Sequence, residues 1–490
     1  MRTLVAALLA VVLTSLNAGA EALIDPALLK FAEQRGSQQR TRIIALLEVP
    51  AAAVQLPLKY DTGAVISYLK RISRLAFDGL PRDVQAQQDP DLQIQEFFWI
   101  NLSFSASVTP AGLMKVAKLY GVKKIYAIHN VNYPTPLPGT GSDIDWPYNA
   151  IDTGLDKVVK EAPQIDGRGV LIGHIDTGVD GKHPALSGKI ALFFDGQKIA
   201  QPTDSAQHGT HTAGTILGGN RESDLIGVAP GAKLISAGFL RGYDEVLRGM
   251  QWMLDPDGNP KTQDTPAIVS NSWNAQGAPD LELFYRAISS WEAAGIVTVF
   301  SAGNAGPSPK SITAPHEHPD VLAVAATGPD GKVARFSSRG PAVYKGQEIA
   351  KPDVSAPGVD INSAIPGGRY GKFSGTSMAC PHVAGTAALL LQVNPKLNPA
   401  QVREVLRQTT TAVDLDGKPT PKRVWNMAYG LGKLNIYDAV KTAIRLARGG
   451  RLDSFFELFK RQSYERPQER FYFETELKGF NERNWSHVTF

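Results

Sequence analysis

Hydrophobic positions along the first quarter of the chain alternate between two periods. Arg42 to Val49 (R-I-I-A-L-L-E-V) is a short apolar run and reads as a strand. Val65, Leu69, Ile72 and Ala76 then fall on one face of a helix. Glu96 to Val108 returns to an alternating pattern and is expected to form a second strand. Thr109 is placed to cap a helix with Pro110 at its first position, and Leu113, Val116, Ala117 and Tyr120 follow at i, i+3, i+4 and i+7. Lys123 to Val131 closes the set as another strand. These elements make a small α+β module with its core at about 41–131.

Tyr133 to Asp143 (Y-P-T-P-L-P-G-T-G-S-D) breaks the pattern and reads as an extended, exposed linker, the Pro/Gly linker proper being 134–145. From Trp146 to Arg448, strand-like and helix-like runs alternate. Val170–Ile175, Lys233–Ala237, Ala267–Ser270, Ile296–Ser301 and Val321–Ala326 are the strands. His208–Leu217, Glu245–Leu254, Leu281–Ala294, the run after Ser377, Pro399–Gln408 and the segment ending at Arg448 are the helices. Alternation of this kind predicts an α/β fold: a doubly wound, mostly parallel sheet with helices on both faces. Residues 449–490 differ in kind, being rich in aromatics with balanced charge. One helix and one strand are expected there, with no role assigned.

The N-terminus changes the picture of where the protein acts. Arg2, an apolar run from Leu4 to Leu13 and Ala18-Gly19-Ala20 read as a signal peptide over residues 1–20, and hence as export. The run is too short for a comfortable membrane span, and no later segment is apolar enough for one. A net charge of +4 over 490 residues argues against a nucleic-acid partner. A single cysteine, Cys380, excludes an intrachain disulfide.

The candidate chemistry centres on Ser374-Gly375-Thr376-Ser377-Met378-Ala379, which runs into an apolar helical pattern. A serine in the first turn of a helix lies beside unpaired N–H groups and the positive end of the dipole, where a developing oxyanion is favoured. Acyl transfer needs three further parts: a base, an acid that orients it, and oxyanion donors. Asp176 ends an apolar strand, His208 opens the helix of Gln207-His208-Gly209-Thr210-His211, and Asn304 follows a strand on a glycine turn. In open α/β sheets such strand-end groups converge.

D-T-G at Asp176, H-G-T-H at His208, A-G-N at Asn304 and G-T-S-M-A at Ser377 resemble the subtilisin family of serine proteases, in the order Asp, His, Asn, Ser. The resemblance covers about Trp146 to Arg448, and Gln251–Leu254 with Asn271–Trp273 is similar to the bacillopeptidase F branch. It implies a secreted endopeptidase acting on polypeptides, with Ser377 as nucleophile, His208 as proton shuttle, Asp176 orienting the imidazole and Asn304 donating to the oxyanion. It also implies that Ser272, Trp273 and Asn274 flank the substrate, with Thr313 near the floor of the primary pocket. The 21–133 segment resembles the family's inhibitory pro-region, an intramolecular partner removed by self-cleavage. His174, His211, His382 and Cys380 are expected to be structural.

Two departures stand out. Asn274 stands where glycine is usual, and the chain between Leu240 and Trp252 is short. No cofactor is expected. The familiar calcium position has Ala185 after His183-Pro184 and an arginine in the loop 219–225, a poor set of oxygen ligands, so any calcium is expected at another, unlocated site. Two rival readings are a metal-dependent hydrolase built on His174, Asp176, Asp204, His208 and His211, and a non-catalytic binding protein on a protease fold. The first lacks any recognised ligand spacing, and the second fits poorly with four intact motifs.

Overall fold

The computed structural model describes residues 22–449, apart from positions 35, 51–58, 86–87, 134–136, 139–147, 221–223, 239 and 276–280. The stretches read as a signal peptide and as an aromatic extension lie outside the described residues.

Residues 23–127 form one antiparallel-rich sheet with helices on one side. Its elements are β1 (Leu23–Ile24), α1 (Pro26–Ala32), β2 (Thr41–Leu47), α2 (Thr62–Asp78), β3 (Leu92–Phe98), β4 (Ser103–Val108), α3 (Pro110–Ala117) and β5 (Val122–Ala127), in the strand order β1-β5-β2-β4-β3. The Thr109 hydroxyl accepts from Gly112 N–H, so the cap forms as its sequence predicts. The stretch 96–108 is not one strand. It is the second half of a β3–β4 hairpin, turned at Trp99–Leu102 with Leu102 at φ 56°.

Two short strands follow, β6 (Val131–Asn132) and β7 (Leu137–Pro138). The larger layer comprises α4 (Tyr148–Thr153), α5 (Leu155–Glu161), β8 (Leu171–Ile175), β9 (Ile190–Phe194), α6 (His208–Leu217), β10 (Lys233–Ala237), α7 (Tyr243–Leu254), β11 (Ile268–Asn271) and β12 (Asn274–Ala275). It continues with α8 (Glu282–Ala293), β13 (Val297–Ser301), β14 (Val321–Thr327), β15 (Val354–Pro357), β16 (Ile361–Ile365) and β17 (Arg369–Ser374). The helices α9 (Thr376–Val393), α10 (Pro399–Gln408) and α11 (Ile436–Ala447) complete it. Seven strands pair in parallel in the order β15-β14-β13-β11-β8-β10-β9. From β8 the chain goes to the edge strand β9, returns through β10 between them, then crosses to β11 and proceeds strand by strand to the other edge. That is the doubly wound architecture, and its switch point lies between β8 and β11.

The burial pattern explains why these strands read as continuous apolar runs. β11, β13 and β14 are buried at every position, as parallel strands covered on both faces must be. Helix α9 is buried from Thr376 to Leu391, which marks it as the central helix and not a surface one. No helix among the described residues is long and apolar enough to cross a membrane.

The first sheet rests on α7 and α8 of the second. Asn101 Nδ2 donates to Leu283 O at 3.0 Å, Ser290 Oγ to Ile100 O at 2.6 Å, and Arg286 to Leu47 O at 2.7 Å. Lys123–Glu282 at 2.7 Å and Arg248–Glu96 at 2.6 Å add ion pairs, as does Arg42 with Asp244.

Candidate active site

Asp176 and Asn304 follow the carboxyl ends of β8 and β13, while His208 opens α6 and Ser377 lies in the first turn of α9. Two glycines set the approach of the first pair. A Cβ on Gly209 would meet Gly178 O at 2.0 Å, and one on Gly178 would meet Thr203 O at 2.3 Å. Any larger residue at either place would push the helix bearing His208 away from the turn bearing Asp176. With glycine at both, His208 Nδ1 lies 2.6 Å from Asp176 Oδ1, so the ring donates there and leaves Nε2 as the acceptor. His208 Nε2 and Ser377 Oγ are both buried and have no hydrogen-bond partner among the described residues.

Asp176 is wholly buried, and burial alone would push its carboxyl up. The charge and hydrogen bond of His208, the nearby His174 and the Thr177 N–H outweigh that and hold it below its ordinary value. Its other oxygen accepts from Thr212 Oγ1 at 3.1 Å. Thr212 lies 2.9 Å from His174 Nε2, and His174 Nδ1 lies 3.0 Å from Ser236 Oγ. Burial, opposed by Asp176, lowers the His174 pKa and keeps the ring neutral. A neutral ring donating from Nε2 to Thr212 leaves the Thr212 proton for the carboxylate. The structure thereby adds Thr212 and Ser236 to the orienting network, whose only sequence signal is position relative to Asp176 and His208.

Asp204 does not face the imidazole as a ligand. Its carboxylate accepts from Ala206, Gln207 and Thr210 N–H and from two threonine hydroxyls, capping α6 in place of Gln207. His211 Nε2 binds the carbonyls of Ile361 and Gly371, and His382 lies between Met378 O and the Asn149 amide. Burial depresses these two rings to about 3 and about 4. The cluster drawn as a rival metal site is therefore committed elsewhere. Cys380 is fully buried, and burial pushes its thiol up to about 11.

The start of α9 is fixed from two sides. Pro381 has no N–H to give Ser377 O, the acceptor four residues earlier, and Ser272 Oγ lies 3.2 Å from that carbonyl. Asn304 Oδ1 accepts from Thr376 N–H at 2.9 Å and from Thr376 Oγ1 at 2.8 Å. These two donors orient the amide, so its NH2 end is the one turned outward. The Trp273 side chain is fully buried against Phe284 and Phe300 and is a core residue, so only its backbone belongs to the edge. Thr313 is exposed, and its carbonyl accepts from His316 N–H at 3.0 Å.

Asn274 carries the edge itself. β12 pairs antiparallel with β6, in register Asn274 with Asn132 and Ala275 with Val131. On the other side Val131 N–H donates to Arg241 O at 2.7 Å and Tyr243 N–H to His129 O at 3.1 Å. β7 then pairs with β17, Leu137 opposite Ser374, three residues before Ser377. Within the stretch read as an exposed linker, 137–138 thus form a strand, while β6 lies at the end of the stretch read as a strand over Lys123 to Val131. The buried Tyr133 hydroxyl between them is pushed well above its ordinary value by burial and by the charges of Asp176 and Glu245.

The Subtilase family profile matches residues 167–433. Bacillopeptidase F of Bacillus subtilis (strain 168) is 39% identical over 304 residues, covering 56% of this chain and 21% of its own length. Serine protease AprX of the same organism is 34% identical over 342 residues, 62% of this chain and 73% of its own. The subtilisin of Bacillus pumilus is 33% identical over 283 residues, 56% and 92%. The chain thus matches about a fifth of the length of bacillopeptidase F.

Proposed function

The chain belongs to the subtilase family, and from that premise we propose that it is a serine endopeptidase made as a self-processed, exported zymogen. The observation that carries the catalytic reading is the 2.6 Å contact of His208 Nδ1 with the buried Asp176, which leaves Nε2 free to accept a proton. Ser377 Oγ attacks the scissile carbonyl while its proton passes to His208 Nε2. Asp176 holds the ring and stabilises the imidazolium. The oxyanion is met by the Asn304 amide N–H and the Ser377 backbone N–H at the positive end of α9. The imidazolium then protonates the leaving amine, and water releases the acyl group by the same path. Ser377→Ala should lower kcat by on the order of a million-fold, the magnitude known for subtilisin itself. Substantial peptidase activity in the purified variant would overturn the assignment.

The zymogen reading rests on the tail. Residues 131–132 lie on Asn274–Ala275 as an added antiparallel strand, and 137–138 pair with the strand that ends at Ser374. A polypeptide substrate is expected to bind the same edges by backbone pairing. The pro-region then inhibits by occupying them, and cutting within 133–137 frees its tail. Asn274 is compatible with this edge because its backbone, and not its side chain, makes the pairing.

We propose further that the family's usual calcium position takes no calcium in this protein. Ala185 supplies no side-chain oxygen, and the Lys189 ammonium donates to Leu217 O at 2.6 Å, Pro230 O at 2.8 Å and Gly219 O. A resident cation on the carbonyls behind α6 does there what a metal would do.

A further inference from the structure

Among the described residues one group of carboxylates has the geometry of a metal site, and it lies far from the catalytic residues in the chain. Asp255, Asp257 and Asp264, in the loop between α7 and β11, each bring an oxygen to within 4.8 Å of the other two. Acidic clusters are common on surfaces, and this one would mean nothing without two further features. The Asp255 side chain is only 1% exposed, and its Oδ1 is buried with no partner among the described residues. An unpaired carboxylate oxygen in such a place is costly unless a cation reaches it. Moreover, a cation already sits on the Asp255 carboxylate. Lys70 of α2 places its ammonium on Asp255 Oδ2 and, at 2.9 Å, on Gly258 O.

Helix α2 is built to bring it there. Gly63 and Lys70 are two turns apart, hence on one face. A Cβ on Gly63 would meet Pro260 O at 2.5 Å, so glycine lets the helix press its backbone against the loop. The ammonium thus belongs to the pro-region and the carboxylates to the peptidase.

We propose that the Asp255–Asp264 loop is a calcium site that Lys70 occupies until the pro-region leaves. This rests on the reading of 21–133 as a removable pro-region. The donors are all hard oxygens: three carboxylates and the Gly258 carbonyl, which with water reach the six to eight that calcium takes. No histidine or cysteine joins them, which disfavours zinc or copper. Once Lys70 departs, the three carboxylates have no other ion-pair partner among the described residues, and the Thr262 hydroxyl, 3.1 Å from both Asp257 Oδ1 and Asp264 Oδ1, offers one proton between two of them. Calcium and the pro-region compete for Asp255, so by linkage each weakens the binding of the other by the same factor. Calcium outside the cell would then stabilise the processed enzyme and oppose rebinding of its inhibitor.

The test needs no processing. In the full chain carrying Ser377→Ala, Lys70→Met removes the ammonium while everything else stays docked. Calorimetric titration with calcium chloride should show one site bound at least about tenfold more tightly than in the Lys70 chain. The thermal midpoint should rise by several degrees in the same series. Adding Asp264→Asn should abolish both changes. Equal calcium responses with and without Lys70, in chains of matching near-UV circular dichroism, would overturn the proposal, as would binding that survives Asp264→Asn. If Lys70→Met does not fold, the processed wild-type enzyme serves: it should bind calcium and lose binding with Asp264→Asn, and absence of binding there is equally fatal. Failure of self-processing would show separately, as an intact wild-type chain.

Discussion

The seven-stranded sheet and the five-stranded sheet resting on it use charge in opposite ways. In the larger sheet, Lys351 and Arg407 close on Asp353, and Arg403 on Glu292 at 2.6 Å, with every partner at most 10% exposed. Across the contact between the two, the cations Arg42, Lys59 and Lys123 are 43–48% exposed and lean onto Asp244, Glu292 and Glu282, which are themselves 1%, 3% and 19% exposed. Removing one partner of a buried network costs about 3–5 kcal/mol, because the other charge is stranded. A pair whose cation stays in solvent contributes less, falling towards about 0–1 kcal/mol for a fully exposed pair. The first arrangement suits a structure that must persist under proteolysis. The second suits a module that holds its place and then lets go, as the proposed pro-region would.

The sharpest break is Asp353→Ala, which strands Lys351 and Arg407 and should cost about 3–5 kcal/mol in the Ser377→Ala chain. Chemical denaturation measures it, and a loss under about 1 kcal/mol would place this network in the same class as the docking contacts. Asn304→Ala should lower kcat by about 2.7–4 kcal/mol with little change in KM, the value known for subtilisin. If the tail is cut by the same machinery, self-processing slows by the same factor. Peptide hydrolysis and processing responding differently would separate the two.

Acid should act on the larger sheet before the smaller effects are reached. Burial raises the Asp353 carboxyl, but Arg407 and Lys351 outweigh it and bring it from 3.8 to about 2. A depressed carboxyl stabilises fully above the unfolded value and loses that contribution as pH falls through the folded one. About 2 kcal/mol should therefore disappear between pH 3.8 and 2, and Asp353→Asn should flatten that part of the profile. A profile unchanged by the substitution would remove Asp353 from the account. The smallest effect is expected at Lys123→Ala, where the loss of an exposed pair should change the processing rate by less than about fivefold. A change beyond tenfold would mean that the contact holds the pro-region by a few strong charges.

The parallel sheet and the residues at its strand ends were legible because a strand covered on both faces must be apolar throughout, and glycines mark its sharp exits. Asp176, His208, Asn304 and Ser377 all follow such signals. The β3–β4 hairpin was not legible. Its turn, Trp99–Leu102, has neither glycine nor proline, and it is held by Gln251 of α7 and by Leu283 and Ser290 of α8. A turn made by docking leaves no local mark. The same holds for 137–138, which lie in a proline-rich stretch that reads as an exposed linker until the edge they pair with is in view. Trp273 shows the converse: its position in the edge motif says nothing of a side chain turned into the core.

The central claim is that the tail on Asn274–Ala275 is cut by this chain's own Ser377. Intact-mass measurement of the exported wild type and of Ser377→Ala, made in a host without other proteases, tests it directly. Wild type should lose everything before a new N-terminus within 133–137, while Ser377→Ala keeps the segment from Glu21 onward. Trimming of Ser377→Ala at the same place, or a wild type that is active with 21–133 still attached, would contradict it.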